Sequence, residues 1–488
     1  MSRPSRRTFL RRTAAAALGG TASVATGLTI AGTKASGRVL GANDTIRVAV
    51  AGINDRGQAH IAAFTDIDKV QVTHLVDPDS RLFESRAEAV KRRGGNTPKC
   101  FQDIRQALDD KDLDVVSVAT CNHWHSLITV WSCQARKDVY VEKPCSHNVF
   151  EGRKCVEAAR RYNCIVQHGT QQRSSRERAS QMAAIRSGKY GKLLVSKGYC
   201  CKPRWSIKFK EPKDPPKGLD FNLWLGPAPQ QPYHENLVHY NWHWFWDFGN
   251  GDMGNQGVHE MDVARWAIKD ATLPKSVWAL GGRWVDEPDF KDQGQTPNME
   301  LCVFDYGETL IVFETRGLVG RHKGFPPKVA NEFYTTEGMI RDGKFHPKEG
   351  GKTHDVEVEP ILVTPGREFG SFIRCVRSRK REEVNGEIEE AHCSAALCHL
   401  GNISYRLGEP VPFSHAPPAV ADNQQIAESF DAIKENLKAA GLNLAQATYQ
   451  LGPTLKVDPK MEKFIDNEQA NRLLSRPYRE PFVVPESV

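Results

Sequence analysis

The sequence has 488 residues, 66 Lys and Arg against 59 Asp and Glu, and a formal charge of +7. Hydrophobic residues make up 40% and charged residues 26%, which excludes a disordered chain, a collagen-like fibre and a multi-span membrane protein and allows two to three domains. Residues 1–35 hold Arg3, Arg6, Arg7, Arg11, Arg12 and Lys34 and no acid, so the rest of the chain carries only +1. Such a body gives no reason to expect a nucleic-acid partner.

Ser5-Arg6-Arg7-Thr8-Phe9-Leu10-Arg11 resembles the twin-arginine export signature. A charge-free stretch from Thr13 to Thr33 follows, too mildly apolar for a stable membrane span, and Thr33-Lys34-Ala35 offers a small-residue cleavage site. We expect residues 1–35 to be a signal peptide, the mature chain to start near Ser36 and to be periplasmic, and no stable membrane span to remain after cleavage. Twelve cysteines form no Cys-x-x-Cys pair and read mostly as buried thiols.

From residue 44 strand and helix patterns alternate. Strands are expected at Ile46–Ala51, Val70–Val76, Asp114–Ala119, Val139–Glu142 and Cys164–Gln167. Helices are expected through His60 and Phe64, at Ser80–Arg93, at Asp103–Leu108 with Asp103 as cap, at Trp124–Ala135 and at Asn148–Tyr162. Repeats of this size predict a doubly wound parallel sheet. A helix at Ala179–Ser187 and a strand at Leu193–Cys200 then lead to strands with antiparallel spacing at 276–284, 299–304, 309–315 and 330–335, with Asp305-Tyr306-Gly307-Glu308 as a hairpin turn. Helices return at 369–377, 387–407 and 422–440. The fold class is α/β: a Rossmann domain over residues 36–168, an α/β domain with a mostly antiparallel open sheet over 169–415, and an extension over 416–488.

Gly52-Ile53-Asn54-Asp55-Arg56-Gly57 follows the first strand and opens a helix. It matches G-x-G-x-x-G with Asn54 in place of the middle glycine, a residue that tolerates left-handed backbone angles. Asp77 stands at the end of the second strand, twenty residues after Gly57. A carboxylate there accepts hydrogen bonds from ribose hydroxyls and repels a 2′-phosphate, so NAD is expected rather than NADP. The loop assigns Gly52, Ile53, Asn54, Arg56, Gly57 and Asp77 to cofactor binding.

Three later segments carry a family resemblance. Ala119-Thr120-Cys121-Asn122-His123-Trp124-His125, Glu142-Lys143-Pro144, and the glycine-rich run from Gly251 to Asp262 that contains Asn255 and His259 are similar in order and spacing to motifs of the glucose–fructose oxidoreductase, inositol dehydrogenase and rhizopine-catabolism (Gfo/Idh/MocA) family. The resemblance covers roughly residues 44–407. It implies an NAD(P)-dependent oxidoreductase with Lys143 and His259 as acid/base groups, Thr120, Asn122 and His125 lining the nicotinamide side, and Glu142 on its ribose. Two positions depart from the pattern. Cys121 replaces a proline, and Asn255 replaces an aspartate that would orient His259, so Asn255 is expected to orient the imidazole without supplying charge. Asp252 or Asp262 could compensate, or Lys143 could carry more of the proton transfer.

Tyr240-Asn241-Trp242-His243-Trp244-Phe245-Trp246 precedes that run. Aromatic faces stack on sugar C–H groups, and Trp242, His243 and Trp246 are expected to meet substrate. His123 with His125, or His239 with His243, could suggest a metal, but no third ligand is evident and none is expected. The leading reading is a sugar or polyol oxidoreductase acting at a secondary hydroxyl. An exported enzyme has no evident supply of free NAD, so the cofactor is expected to stay bound and the reaction to be redox-neutral. The alternatives are therefore an NAD-dependent glycosidase or keto-sugar-forming enzyme that works by transient oxidation and elimination, and a non-catalytic binding protein. The exposed face of the second sheet predicts a homo-oligomer.

Overall fold

The computed structural model describes residues 44–285, 291–357 and 361–488. The expected signal peptide lies outside them.

Strands Ile46–Ala51 (β1), Val70–Val76 (β2), Lys99–Phe101 (β3), Val115–Val118 (β4), Asp138–Val141 (β5) and Val166–His168 (β6) form one sheet in the order β3-β2-β1-β4-β5-β6. Every pair in it is parallel. Helices Asp55–Thr65 (α1), Phe83–Gly94 (α2), Ile104–Leu108 (α3), Asn122–Gln134 (α4) and Val149–Arg161 (α5) connect the strands. β4 and β5 are buried along their whole length, which is why they read as unbroken apolar runs rather than alternating ones. Asp103 caps α3 as expected, accepting from the Arg105 N–H at 2.9 Å. A reciprocal cap starts α5: Asn148 accepts from the Glu151 N–H at 2.9 Å, and Glu151 accepts from the His147 N–H at 3.2 Å. The strand order reverses between β1 and β4, so a crevice opens there at the carboxyl ends of the strands.

The second sheet begins after helix Arg176–Arg186 (α6) with Leu193–Cys201 (β7). Its centre is β7 with Ser276–Gly282 (β8), Met299–Asp305 (β9), Leu310–Arg316 (β10) and Lys328–Thr335 (β11), in the order β11-β7-β10-β9-β8. β7 and β10 run parallel, while the other pairs among these five are antiparallel. Gly307 makes the expected hairpin turn with φ +94°, its N–H held by Asp305 Oδ1. Helices Phe221–Leu225 (α7) and Val258–Trp266 (α8) lie between β7 and β8 in sequence.

The chain then returns to the first domain, which the sequence boundaries did not foresee. Phe369, Phe372 and Val376 of helix Arg367–Ser378 (α9) share a core with Ile46, Phe64 and Tyr140. Helix Ile388–Arg406 (α10), about 28 Å long, puts Ile388, Ala391 and Ala395 into the Rossmann core and Leu397, Leu400 and Ile403 into the core under the second sheet. Residues 416–488 likewise belong to both halves. Phe482, Val484 and Val488 enter the Rossmann core beside Trp124 and Trp131. Helix Gln424–Ala439 (α11) lays Ile426, Phe430, Ile433 and Leu437 on the second sheet against Leu301 and Val312. That is the face expected to be exposed and to seek a partner subunit. α11 buries this part of the face, at about 1.5–3 kcal/mol for each large apolar side chain. All twelve cysteines are free and ten are buried. Among the described residues, no helix is long and apolar enough to cross a membrane.

Candidate active site

A cleft of about 370 Å³ opens at the β1/β4 reversal. Gly52, Asn54, Arg56, Asp77, Thr120, Asn122, His125, Glu142, Lys143, Trp242, His243, Asn255 and His259 all line it. Ile53 and Gly57 lie beneath the loop, and Trp246 lies away from the cleft, where its ring packs on Tyr405 and under Arg406. The substrate role expected for Trp246 is therefore not supported by its position.

The dinucleotide loop is built as its sequence suggests, with one difference. Gly52 has φ +78°, and a Cβ there would sit 2.5 Å from the Ala119 carbonyl oxygen. A Cβ on Gly57 would sit 1.9 Å from the Gly52 oxygen, so neither glycine is replaceable. Asn54 has φ −80° and needs no left-handed freedom. No side chain caps α1, which leaves its first N–H groups for an anion. Asp77 is buried and accepts from the Ile53 N–H at 3.0 Å and the Asp79 N–H at 2.9 Å. Burial raises its pKa, against those two hydrogen bonds. The glycine cradle, the uncapped helix end and the acid at the end of β2 fit NAD.

Glu142 is held by its motif neighbour Lys143 and by Arg56 and His60, which the motif does not contain. Its Oε1 accepts from Arg56 Nε at 2.7 Å and lies 3.0 Å from His60 Nε2, and its Oε2 accepts from the Lys143 N–H at 3.3 Å. Burial alone would raise its pKa. The His60 hydrogen bond and the nearby Arg56 and Lys143 charges outweigh it and hold the carboxyl well below the usual carboxylate range. His60 had shown only as an apolar-face position of α1, because a histidine one turn inside a helix gives no local sign of what it meets across a sheet.

Lys143 Nζ donates to the main-chain carbonyl of Asn255 at 2.5 Å and approaches Asn255 Oδ1 at 3.5 Å. Met253–Gly257 winds as a π-helical turn, a feature that re-aims backbone groups at functional sites. Burial lowers the Lys143 pKa, Glu142 raises it and Arg56 lowers it again, for a net fall. This corrects the expected role of Asn255, which faces the lysine and not His259. The other candidate orienters are also occupied. Asp262 accepts from Arg173 and from Ser394 at 2.6 Å, and Asp252 accepts from Arg204 at 2.9 Å. Among the described residues, none hydrogen-bonds the His259 ring. Burial and the Lys143 charge push its pKa down to about 3.

His243 stacks on Trp242 with ring centroids 3.6 Å apart, and its Nδ1 lies 2.5 Å from the Tyr240 carbonyl oxygen. Burial first, then the charges of Lys143 and Arg204, push its pKa down to about 3 against the Tyr240 bond. The two ring nitrogens of His125 lie 2.7 Å from the Pro144 carbonyl oxygen and 2.9 Å from that of Thr120, so the ring sits between two motif loops and its single N–H bonds one of them. Cys121 has φ −67°, an angle that a proline would hold, so its substitution costs the loop nothing in shape. His123 bonds the Trp224 carbonyl and His239 pairs with Asp79 at 3.1 Å. Among the described residues, no group of three side chains could hold a metal.

The far wall of the cleft is a strap, residues 216–248, tied to both banks. Gly218 accepts from the Ser80 N–H at 3.0 Å, and Asp220 donates to Pro78 at 2.9 Å. On the other bank, Trp124 Nε1 bonds the Leu223 and Trp224 carbonyls at 3.1 Å. Residues near the end of the chain lock the strap: Arg479 bonds the Asn222 side chain at 2.6 Å, and Arg476 bonds the Asp247 carbonyl at 2.9 Å. Sequence reasoning missed this strap, whose ties to the banks and to the end of the chain are long-range.

Residues 46–170 match the oxidoreductase family model with the NAD-binding Rossmann fold, and residues 188–283 and 429–484 match that family's C-terminal alpha/beta domain. The chain has the Gfo/Idh/MocA oxidoreductase architecture. A Glycosyl hydrolase family 109 protein from Shewanella pealeana is 27% identical over 185 residues, 36% of this chain and 40% of that protein. A Glycosyl hydrolase family 109 protein 2 from Shewanella sp. strain ANA-3 is 29% identical over 223 residues, 43% and 48% of the two chains. The chain thus spans less than half the length of these curated relatives. The WlbA dehydrogenase from Bordetella pertussis, solved with NADH and UDP-GlcNAcA, aligns with TM-score 0.52 and 16% identity over 74% of this chain and 97% of that one. This likeness shows that the fold is shared.

Proposed function

We propose that this Gfo/Idh/MocA protein is an NAD-dependent glycosidase: it oxidises a secondary hydroxyl of a glycoside transiently, eliminates the aglycone, adds water and reduces the sugar again. The observation that carries this reading is the strap, anchored on both banks of the cleft and locked from the end of the chain. A cofactor retained behind a wall anchored in this way would have to be restored within each cycle. The names of the Shewanella relatives support the same reading, which reverses the order that the sequence suggested.

NAD, when bound, supplies the hydride acceptor and donor. The chain does the rest. The Gly52 turn and the α1 N-terminus would hold the pyrophosphate, and Asp77 the ribose. Tyr240 and Trp242 offer faces to sugar C–H groups. Lys143, kept from full basicity by burial, steadies the reacting oxygen as its charge changes.

The test mixes the purified protein with p-nitrophenyl glycosides. Release of p-nitrophenol without accumulating NADH fluorescence supports the glycosidase. NADH accumulation without phenol would restore the sugar dehydrogenase reading. Denatured protein should release NAD(H) stoichiometrically. We further infer export through the twin-arginine signal. Loss of periplasmic accumulation on replacing both Arg6 and Arg7 with Lys tests it, and unchanged export would refute it.

A further inference from the structure

We propose that His243 is the catalytic base of the oxidation step, receiving the substrate hydroxyl proton at Nε2. The inference rests on the oxidation proposed above and holds for either fate of the carbonyl.

A base must be held in one tautomer and one direction before it can act in a defined step. His243 is so held. The Tyr240 carbonyl can only accept a hydrogen bond, so Nδ1, 2.5 Å away, carries the proton. In the neutral ring the lone pair is therefore on Nε2. Among the described residues, none bonds Nε2, and His243 lines the cleft with Lys143 and His259. The ring cannot swing freely. It lies at 19° to the Trp242 ring and touches Tyr240 and Trp244 on either side. Gly249 packs so closely on the His243 backbone that a Cβ would come within 2.5 Å of its carbonyl oxygen. Among the described residues, none makes a hydrogen bond or ring contact with the His259 side chain.

The step balances. The carbinol C–H bond breaks and its hydride passes to NAD, the O–H bond breaks and its proton passes to Nε2, and the C=O bond forms. The alcohol is oxidised, NAD is reduced and His243 becomes imidazolium. In the closing reduction the hydride returns to carbon and the imidazolium returns its proton to oxygen. A weak base suffices, because the hydroxyl proton becomes strongly acidic as hydride leaves its carbon. The imidazolium formed is for the same reason a ready donor in the return step. Lys143, Arg204 and His125 are the charged or titratable groups that act on His243 from neighbouring segments.

The experiment uses the full-length holoprotein and its His243→Gln, His243→Phe and His259→Gln variants, mixed with p-nitrophenyl α- and β-glycosides of glucose, galactose and their N-acetylamino derivatives. The rapid transient of bound NADH in the first turnover, before the return step, reports oxidation, and nucleotide content and Tm report folding. We expect both His243 variants to keep NAD(H) and Tm while bound-nucleotide reduction falls about 100-fold or more, a larger loss than His259→Gln gives. A larger loss at His259, or His243→Gln within about threefold of wild type, overturns the assignment. In 15N-histidine spectra, the resonance lost in His243→Gln should report a neutral ring protonated at Nδ1; an Nε2–H tautomer or imidazolium overturns it. Wild type that oxidises none of the glycosides overturns the oxidation reading and the base with it. Oxidation without phenol overturns the glycosidase alone.

Discussion

Lys143 is positioned by the main-chain carbonyl of Asn255, 2.5 Å from its Nζ, more closely than by that residue's side-chain oxygen at 3.5 Å. The contact survives almost any substitution at position 255 that preserves the π-helical turn. Asn255→Ala should therefore cost less than about tenfold in kcat, whereas Lys143→Ala should cost about 100-fold or more. Asn255→Asp would place a carboxylate near the ammonium, raise the Lys143 pKa and move the corresponding limb of the pH–rate profile upward. An unmoved profile would contradict this placement.

The strap is locked by residues far from the cleft. Arg479→Ala together with Arg476→Ala should speed NAD release and lower the nucleotide content of the purified protein. Phe482→Ala should cost about 3–5 kcal/mol of stability, as for a fully buried aromatic. Retention of stoichiometric NAD in the double variant would show that the strap holds without its lock.

Glu300 is 1% exposed, and its carboxyl meets only the weak Cys302 thiol, at 3.6 Å, among the described side chains. Burial pushes its pKa up to about 8. Between about 4.5 and 8 the folded state binds the extra proton, so this contribution to stability is whole below 4.5 and is lost as pH rises through 8. The buried histidines work in the opposite direction and cost stability as pH falls below about 6.5, towards the value of about 3 for His243 and His259. Thermal unfolding should show Tm falling on the alkaline side. Glu300→Gln should flatten that fall by several kcal/mol, since each tenfold change in proton affinity is worth about 1.4 kcal/mol.

α11 covers the second sheet through Phe430 and its neighbours. Phe430→Asp should uncover an apolar face, lower stability by about 3 kcal/mol or more and bring on self-association visible by light scattering. A stable monomeric variant would mean that the cover is dispensable.

Much of the first domain was legible in the sequence, because buried parallel strands and capped helices write their signals locally. β4 and β5 show as apolar runs, Asp103 as a cap, and Gly52 as a turn. The cleft residues were legible through motif order. Contacts made at a distance were not. Nothing near Asn255 says that its carbonyl meets Lys143 from over a hundred positions away, or that Asp262 is already committed to Arg173. β3 is three residues long, too short to show a period. Trp246 shared the aromatic run with Trp242, yet the irregular turn between them sends their rings to different places.

The Rossmann core contains Val48 and Tyr140 from the early chain, but also Phe372 from α9, and Phe482 and Val488 from the last dozen residues. On the ribosome these late residues emerge last, so the first domain to be made is the last to be finished. The first domain therefore packs fully only after segments that follow the second domain's sheet in sequence have joined it.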